Sequence, residues 1–226
     1  MTVKFRFLFL IAMSVFVISC KEKQAENNAG TVASAEGAKY VASPEMTKVM
    51  WEGSKPTGTH KGTIGITGGE LFVSNGAVTS GSFTLDMNSI TVTDLEGDDK
   101  ANLEAHLKGT AEKGADDFFN VTKFPTGKFE ITGVEASTVA GANANIKGNL
   151  TLRDKTNEIT FPANVTISDS TVTVTASKFN IDRTKWGVNY GSKNIFKDLG
   201  DKFINDEIAL ELQFSAKAAP AEAPQQ

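Results

Sequence analysis

The chain has 226 residues and a formal net charge of −4 at neutral pH, with 40% hydrophobic and 22% charged residues. These values are ordinary for a globular protein, and the length suits one all-β domain of generous size. The acidic balance and the lack of a run of five or more basic residues argue against a nucleic-acid partner, because binding to the phosphate backbone requires a basic surface.

The N-terminus has the pattern of a bacterial export signal. Lys4 and Arg6 precede an almost wholly apolar stretch over residues 7–18. This stretch is too short for a transmembrane helix, which needs ~20 apolar residues. It leads into Val-Ile-Ser-Cys, which resembles a lipobox and ends at Cys20, the only cysteine of the chain. We therefore predict a lipoprotein signal peptide over residues 1–19 and lipidation, with palmitate among the acyl chains, at Cys20. A chance cysteine after an ordinary signal peptide is the alternative.

Two segments that flank the central domain are poor in residues able to form a core. Residues 20–39 are rich in Lys, Glu, Ala, Gly and Ser, and residues 218–226 are rich in Ala, Pro and Gln. Such compositions bury too little apolar surface to fold, so we predict a disordered tether and a disordered tail around a domain over residues 40–217. Two acyl chains suffice for stable anchoring, which predicts a lipid-anchored protein of the cell envelope. Lys21 after the cysteine favours the outer membrane, facing the periplasm or the cell surface, by analogy with known lipoprotein sorting signals.

Within the domain, apolar and polar residues alternate with a period of two, which is typical of half-buried antiparallel strands. The alternation is clearest in two segments, whose apolar faces are formed by Ile146, Gly148, Leu150 and Leu152, and by Ile208, Leu210, Leu212 and Phe214. Asn75-Gly76 lies between two apolar runs and predicts a two-residue hairpin, since both residues tolerate positive φ.

One interruption of this alternation is helical. Asp98 and Asp99 can cap a helix over residues 100–108, and Gly109 is expected to end it. A second short helix is expected near residues 194–199. About eight strands, one helical excursion and no regular exchange of strands with helices favour a closed antiparallel β-barrel, with a two-sheet sandwich as the alternative.

A set of residues, ordered along the domain, resembles the YceI-like family. The N-terminal half contributes Trp51, Lys55, Gly58, His60, Gly62, Gly69, Leu71, Gly81, Phe83, Asp86 and Asp94. The C-terminal half contributes His106-Leu107-Lys108, residues 117–121, Phe124-Pro125, residues 148–153 with Thr156, Ile181-Asp182-Arg183 and Trp186-Gly187. The resemblance spans nearly all of residues 40–217. The chain departs from the family pattern by the extra residues 109–115, by Asp154 and by Asp182.

The resemblance implies an elongated, lipocalin-like barrel with one or two short helices. Its apolar lumen would hold a polyisoprenoid chain, with a quinone or pyrophosphate head group near one end. An eight-stranded barrel is about the size that encloses one small ligand. The implied function is carriage or storage of a polyisoprenoid lipid or isoprenoid quinone without a cofactor or metal, and a homodimer remains open. The candidate ligand-binding residues are Trp51, Lys55, His60, Phe83, His106, Phe118, Phe119, Phe129, Phe179, Arg183 and Trp186.

The aromatic and N-terminal candidates also have a plain structural interpretation. Phe118 and Phe119 either contact a ligand or fill an ordinary core. His60, which has Lys55 and Lys61 close by, either meets an anionic head group or hydrogen-bonds to the backbone at a strand end.

The remaining polar candidates have similar alternatives. His106, beside the end of the predicted helix, is expected to be a structural anchor paired with a carboxylate such as Asp86. Arg183 is either a phosphate ligand or a buried ion-pair partner. Gly81 and Gly148 face inward by the alternation, so a bulky side chain at either position is expected to enter the lumen.

The sequence favours a binding protein over an enzyme. Two histidines and a single cysteine give no zinc-binding pattern and no free thiol nucleophile. No G-x-S-x-G motif accompanies the serines, and no convergent catalytic set is evident. The competing interpretation is a surface interaction or adhesion module that uses exposed barrel loops, because one fold supports many kinds of site.

The lipobox makes a direct prediction. Replacing Cys20 with serine removes the acceptor of the lipid, and the tether contributes no core residues, so the variant should fold but no longer partition with membranes. Metabolic labelling with a fatty-acid analogue, followed by membrane fractionation, measures both effects. Label retained by Cys20→Ser would contradict the assignment.

Overall fold

The computed structural model describes residues 28–220, so the predicted signal peptide and Cys20 lie outside the described residues. The described part forms nine strands and one α-helix. The strands are β1 (Ala38–Ala42), β2 (Lys48–Lys55), β3 (Gly58–Ser74), β4 (Ala77–Val92), β5 (Thr126–Ala136), β6 (Ala144–Leu152), β7 (Lys155–Ile167), β8 (Thr171–Asp182) and β9 (Glu207–Ala218). The helix α1 (Gly97–Lys108) follows β4.

Strands β2 to β9 close into an eight-stranded antiparallel barrel. Each strand pairs with the next along the chain, and the pairing of β2 with β9 closes the sheet. The predicted barrel is therefore confirmed over the sandwich. Period-two alternation explains this outcome, because it gives every strand one apolar face that closure turns toward a shared interior.

The ninth strand, β1, continues the position of β2 in the barrel wall, between β3 and β9. β2 pairs with β3 only as far as Ile64 and with β9 only as far as Gln213. β1 takes over beyond these points and pairs with residues 70–73 of β3 and 216–218 of β9. A 3-10 turn over Pro44–Met46 separates the two strands. Two short strands, β1 and β2, thus together fill the space between β3 and β9 that one long strand would otherwise occupy.

The predicted hairpin and the C-terminal end of the predicted helix agree with the structure, but the helix begins at Gly97, so Asp98 and Asp99 lie within its first turn instead of capping it. Asn75 and Gly76 have φ of 52° and 75°, as a hairpin of this kind requires, and they join the two longest strands. α1 ends at Gly109, whose φ of 70° is left-handed and whose N–H bonds to carbonyls of the last turn. Residues 194–199 form turns instead of the second helix expected there. No helix within residues 28–220 has the length and apolar character needed to cross a membrane.

The chain course gives the barrel two distinct ends. The mouth end carries the β2–β3 hairpin, α1, the loop over residues 109–125, and the long segment over residues 183–206 that joins β8 to β9. The far end carries β1, the hairpin at Asn75-Gly76 and the β7–β8 turn. The far half of the lumen is filled by buried aliphatic residues, among them Val172 and Ala216.

Residues 28–37 lie along the outer wall of the barrel, although their composition predicted part of a disordered tether. This segment, here called the strap, starts beside β7 near the mouth end, where Glu158 N–H donates to the Asn28 carbonyl at 3.2 Å. It crosses β5, where Ala33 N–H donates to the Ile131 carbonyl at 3.0 Å. It then reaches the far end and leads into β1.

The buried side chain of Asn149 holds the strap near its start, at Gly30. Its Oδ1 accepts from Gly30 N–H, and its Nδ2 donates to the Gly30 carbonyl, both at 2.8 Å. A side chain on Gly30 would collide with the Glu158 carboxylate. Backbone groups thus make the contacts that composition could not reveal, since the strap buries few apolar side chains.

Asn149 should therefore matter more than its neighbours on the outer face. Asn149→Ala removes both hydrogen bonds to Gly30, and we expect a loss of about 1–2 kcal/mol in the free energy of unfolding. Hydrogen exchange in residues 28–37 should also speed up. Asn145→Ala, on the same face of β6 and half-exposed, is the matched control. Equal effects of the two substitutions on strap exchange would contradict this role.

Candidate functional site

A cavity of about 340 Å³ occupies the mouth half of the lumen. Every strand from β2 to β9 contributes to its wall, together with α1. Most of the wall is aliphatic or aromatic, and representative lining residues are Ile64, Leu85, Met87, Ile159, Ile181 and Leu212. The wall offers dispersion contacts and few hydrogen-bonding groups, so it suits an apolar ligand.

Four phenylalanine rings form a floor across the barrel at the inner limit of this cavity. Ring centroids of Phe83 and Phe129 lie 5.3 Å apart, those of Phe83 and Phe214 5.6 Å, and those of Phe129 and Phe161 5.7 Å. Phe83, Phe129 and Phe161 line both the cavity and a space of only about 20 Å³ on their other side. We call these four residues the phenylalanine floor. Phe179 stacks on Phe161 at 4.6 Å from the cavity side.

The exposed lining residues define where the cavity opens. Lys55, Gly58 and Tyr190 are exposed and also line the cavity, so the opening lies between the β2–β3 hairpin and the segment over residues 183–206. An ideal Cβ added at Gly53 or Gly58 meets nothing within 4 Å. The missing side chains of these glycines leave room at the mouth.

His60 bonds to a carboxylate at this mouth. Its Nδ1 lies 3.0 Å from Asp94 Oδ2, and the Lys61 N–H donates to Asp94 Oδ1 at 3.0 Å. Burial opposes ionisation of Asp94, but these hydrogen bonds outweigh it and hold the pKa of Asp94 below its ordinary value. The backbone bond considered for His60 is thus replaced by a hydrogen bond to a carboxylate, which leaves Nε2 as the ring nitrogen that can meet a ligand.

His106 belongs to an aromatic cluster and not to the pair with Asp86 that the sequence suggested. Its ring lies 5.0 Å from that of Phe118 and 4.8 Å from that of Tyr190, both edge to face. Asp86 Oδ1 instead accepts from Asn88 N–H at 3.0 Å. The cluster joins α1, the loop over 109–125 and the segment over 183–206 above the cavity.

Arg183 fixes the segment over residues 183–206 by bonding to its backbone. The guanidinium is 3% exposed and donates to the carbonyls of Val188 at 2.6 Å, Asn205 at 3.0 Å and Ile204 at 3.1 Å. It also lies 3.5 Å from Asp206. Burial lowers the pKa of Arg183, while Asp206 and Asp182 act in the opposite direction. This geometry is that of the buried ion-pair partner, because the donors are engaged within the protein.

The structure brings ten of the eleven candidate residues together around the cavity. The exception is Trp186, which is 1% exposed, lies outside the cavity wall and donates its indole N–H to the Leu150 carbonyl at 2.8 Å. This bond attaches the start of the segment over residues 183–206 to β6. The candidate set is therefore corrected at Trp186: this buried aromatic residue supports the wall from behind and does not line the cavity.

The sequence interpretation also missed lining residues and misjudged two glycines. Phe161 lies two residues after Ile159 and so shares the inward face of β7, and this period-two spacing could have identified it. Tyr190 lies in an irregular segment that has no such periodicity. A Cβ at Gly148 would strike the Phe129 ring, and one at Gly81 would meet Leu71 Cδ2 at 2.5 Å. Both glycines make room for neighbouring side chains, so substitution there would disturb packing instead of filling the cavity.

Within residues 28–220, no three or more His, Cys, Asp or Glu side chains are placed to hold a metal ion.

Comparison with known proteins gives one family and several solved folds. The model of the YceI-like domain matches residues 40–216. BcnA of Burkholderia cenocepacia is similar in structure, with a TM-score of 0.56 and 21% identity over 77% of this chain and 99% of that one. A polyisoprenoid binding domain of Saccharophagus degradans, implicated in plant cell wall breakdown, has a TM-score of 0.58 and 14% identity over 81% of this chain and all of that one. No curated protein matches the chain in sequence.

The Arg183 network makes a stability prediction. Arg183→Lys keeps the charge but cannot reach three carbonyls in a fixed fork, so we expect a loss of about 2–4 kcal/mol in the free energy of unfolding. Lys178→Ala is the control, because the ion pair of Lys178 with Glu52 is exposed, with 48% of the lysine side chain accessible, and such pairs contribute under about 1 kcal/mol. Urea denaturation measures both, and similar small losses would refute the role of Arg183.

Proposed function

The chain belongs to the YceI-like domain family, and on this basis we propose that it binds the apolar chain of a polyisoprenoid lipid, or a similar amphiphile, in its barrel lumen. One observation carries the proposal. The lumen has an apolar cavity that ends at the phenylalanine floor and has most of its polar lining residues, among them Lys55, His60 and Tyr190, at the open end. The name of the Saccharophagus degradans protein is consistent with this ligand class, although the likeness itself carries only the fold.

The energetics favour a flexible apolar chain as the occupant. Burying apolar surface stabilises a complex by about 25 cal/mol per Å², so a prenyl chain can bind tightly without specific polar contacts. The cavity volume of about 340 Å³ lies near the lower end of the range for ligand pockets. We infer that a single chain enters with its end toward the floor, while further units and the head group stay nearer the mouth.

The mouth supplies the groups that would meet a polar head. Lys55 is exposed there, Tyr190 carries a hydroxyl, and His60 presents Nε2 while Nδ1 is held by Asp94. These groups suit a head group with acceptor oxygens, such as a quinone or a phosphate. We expect this end to orient the ligand and the apolar chain to supply most of the affinity.

We further propose that the protein is a lipoprotein that carries or stores this lipid at a membrane of the cell envelope. The lipobox ending at Cys20 supports an anchor of this kind. A ligand that is nearly insoluble in water is best collected and released by a protein held beside the bilayer.

Organic extraction of the purified protein, followed by mass spectrometry, tests the ligand class. A co-purifying prenyl lipid at a stoichiometry near that of the protein is the expected result. An empty barrel that also fails to take up a prenyl lipid would sink the proposal and favour the interaction module that uses exposed loops.

Filling part of the cavity should weaken binding. Gly53→Phe projects a ring into the open space of the lumen without meeting other atoms at its Cβ, so it should fold normally and weaken a fluorescent prenyl ligand at least about tenfold. Gly133→Phe is the matched control, because its Cβ is equally unobstructed but Gly133 lies outside the cavity wall. Equal affinity of the two folded variants would show that the chain does not lie in the lumen.

A further inference from the structure

The segment over residues 183–206 carries two apolar side chains into solvent at the mouth end. Ile195 and Phe196 are each 47% exposed. They are flanked by Lys193 and Lys197, which are also exposed. An exposed aliphatic–aromatic pair between lysines is a pattern suited to the surface of a lipid bilayer, where apolar side chains insert and ammonium groups stay at head-group level.

The fold holds this pair outward. The N–H groups of Ile195 and Phe196 donate to the Ser192 carbonyl at 3.2 Å and 2.8 Å, and Ser192 is fully buried. Asn194 Nδ2 donates to Asp206 Oδ2 at 2.6 Å. The tip is therefore a supported turn, and the exposure of its apolar side chains follows from its hydrogen bonding.

The tip belongs to the same segment as Tyr190, which borders the opening of the cavity. Tyr190 is 43% exposed, lines the cavity and precedes Ile195 by five residues. The tip and the cavity opening thus lie at the same end of the barrel.

Charge favours an anionic surface over this stretch. Between residues 193 and 202 there are three lysines and two aspartates, Asp198 and Asp201, which gives a local excess of one positive charge in a chain of net charge −4. Anionic lipids attract such basic surface positions.

The strap places the N-terminal anchor on the same side. Its first described residue, Asn28, lies beside β7 near the mouth end, bonded to Glu158. Cys20 precedes it by eight residues, which span at most about 29 Å when fully extended. A bilayer that holds a lipid on Cys20 therefore lies within about 29 Å of Asn28, which is within reach of the mouth.

We infer that the mouth end docks on a lipid bilayer, with Ile195 and Phe196 inserted and Lys193 and Lys197 at the anionic head groups. A prenyl chain then passes between bilayer and cavity past Tyr190 without crossing water. This docking rests on the proposed function, and it names the membrane as the partner of the same site.

A single label tests the docking without any prenyl ligand. In the full chain with Cys20→Ser, Ile195→Cys is the only thiol and takes an environment-sensitive dye; Asp169→Cys, exposed in the far-end turn, is the matched control. Vesicles of phosphatidylcholine and phosphatidylglycerol with brominated acyl chains should shift and quench the dye at position 195 alone. No response at position 195, or an equal response at both positions, overturns the inference.

Ligand transfer separates this inference from the proposed function. Phe196 lies outside the cavity, so Phe196→Asp should leave the equilibrium binding of a fluorescent prenyl ligand unchanged. The rate at which this variant takes up the ligand from vesicles should fall about tenfold. Val139→Asp, which replaces a 50% exposed residue at the far end, should transfer normally. Equal transfer rates of the two variants would overturn the docking. An unaltered chain that binds no prenyl ligand would instead refute the proposed function, and the dye experiment then decides the docking alone.

Discussion

A closed sheet of eight strands encloses a narrow interior, and the rest of this structure depends on the width of that interior. Inward side chains of such a barrel either fill its interior or leave room for one small ligand. In the far half, buried aliphatic residues such as Val172 and Ala216 fill it. Near the mouth the wall includes large apolar residues, but Gly53 and Gly58 present no side chain, and the cavity opens there. The cavity is therefore confined to one end of the barrel.

The segment between β8 and β9 completes this end of the molecule, and polar bonds fix it at several points in addition to the packing of Trp186 and Val188 in the core. Arg183 ties its two limbs together through carbonyls near both ends, and Trp186 attaches it to β6. Asn205 joins it to Ser54 of β2 through both backbone and side chain. Because its position is fixed at several places, the segment can expose apolar side chains at its tip without collapsing onto the cavity that it borders.

The sequence predicted the features of this fold that depend on local chemistry. Alternation predicted the strands, Asn75-Gly76 the hairpin and Gly109 the helix end, since each needs only neighbouring residues. The strap was not predictable from composition, because its contacts are backbone bonds to a distant Asn149. The pairing of His106 also depends on which strands lie nearby in space. Most candidate lining residues lie at the cavity, but Trp186 does not. The sequence pattern shows that such a residue is apolar, but not whether it faces the cavity or packs behind the wall.

The phenylalanine floor fixes the depth of the lumen that is open to the mouth. The height of these rings along the barrel, and not the length of the strands, sets the depth of the cavity below the mouth. Phe161 separates this cavity from the small space beyond, so exchanging it for a small residue would extend the compartment toward the far end. Because Phe161 is also buried in the core, an exchange to alanine would lower the free energy of unfolding by about 3–5 kcal/mol. The depth of the cavity and the stability of the fold are thus coupled at this position.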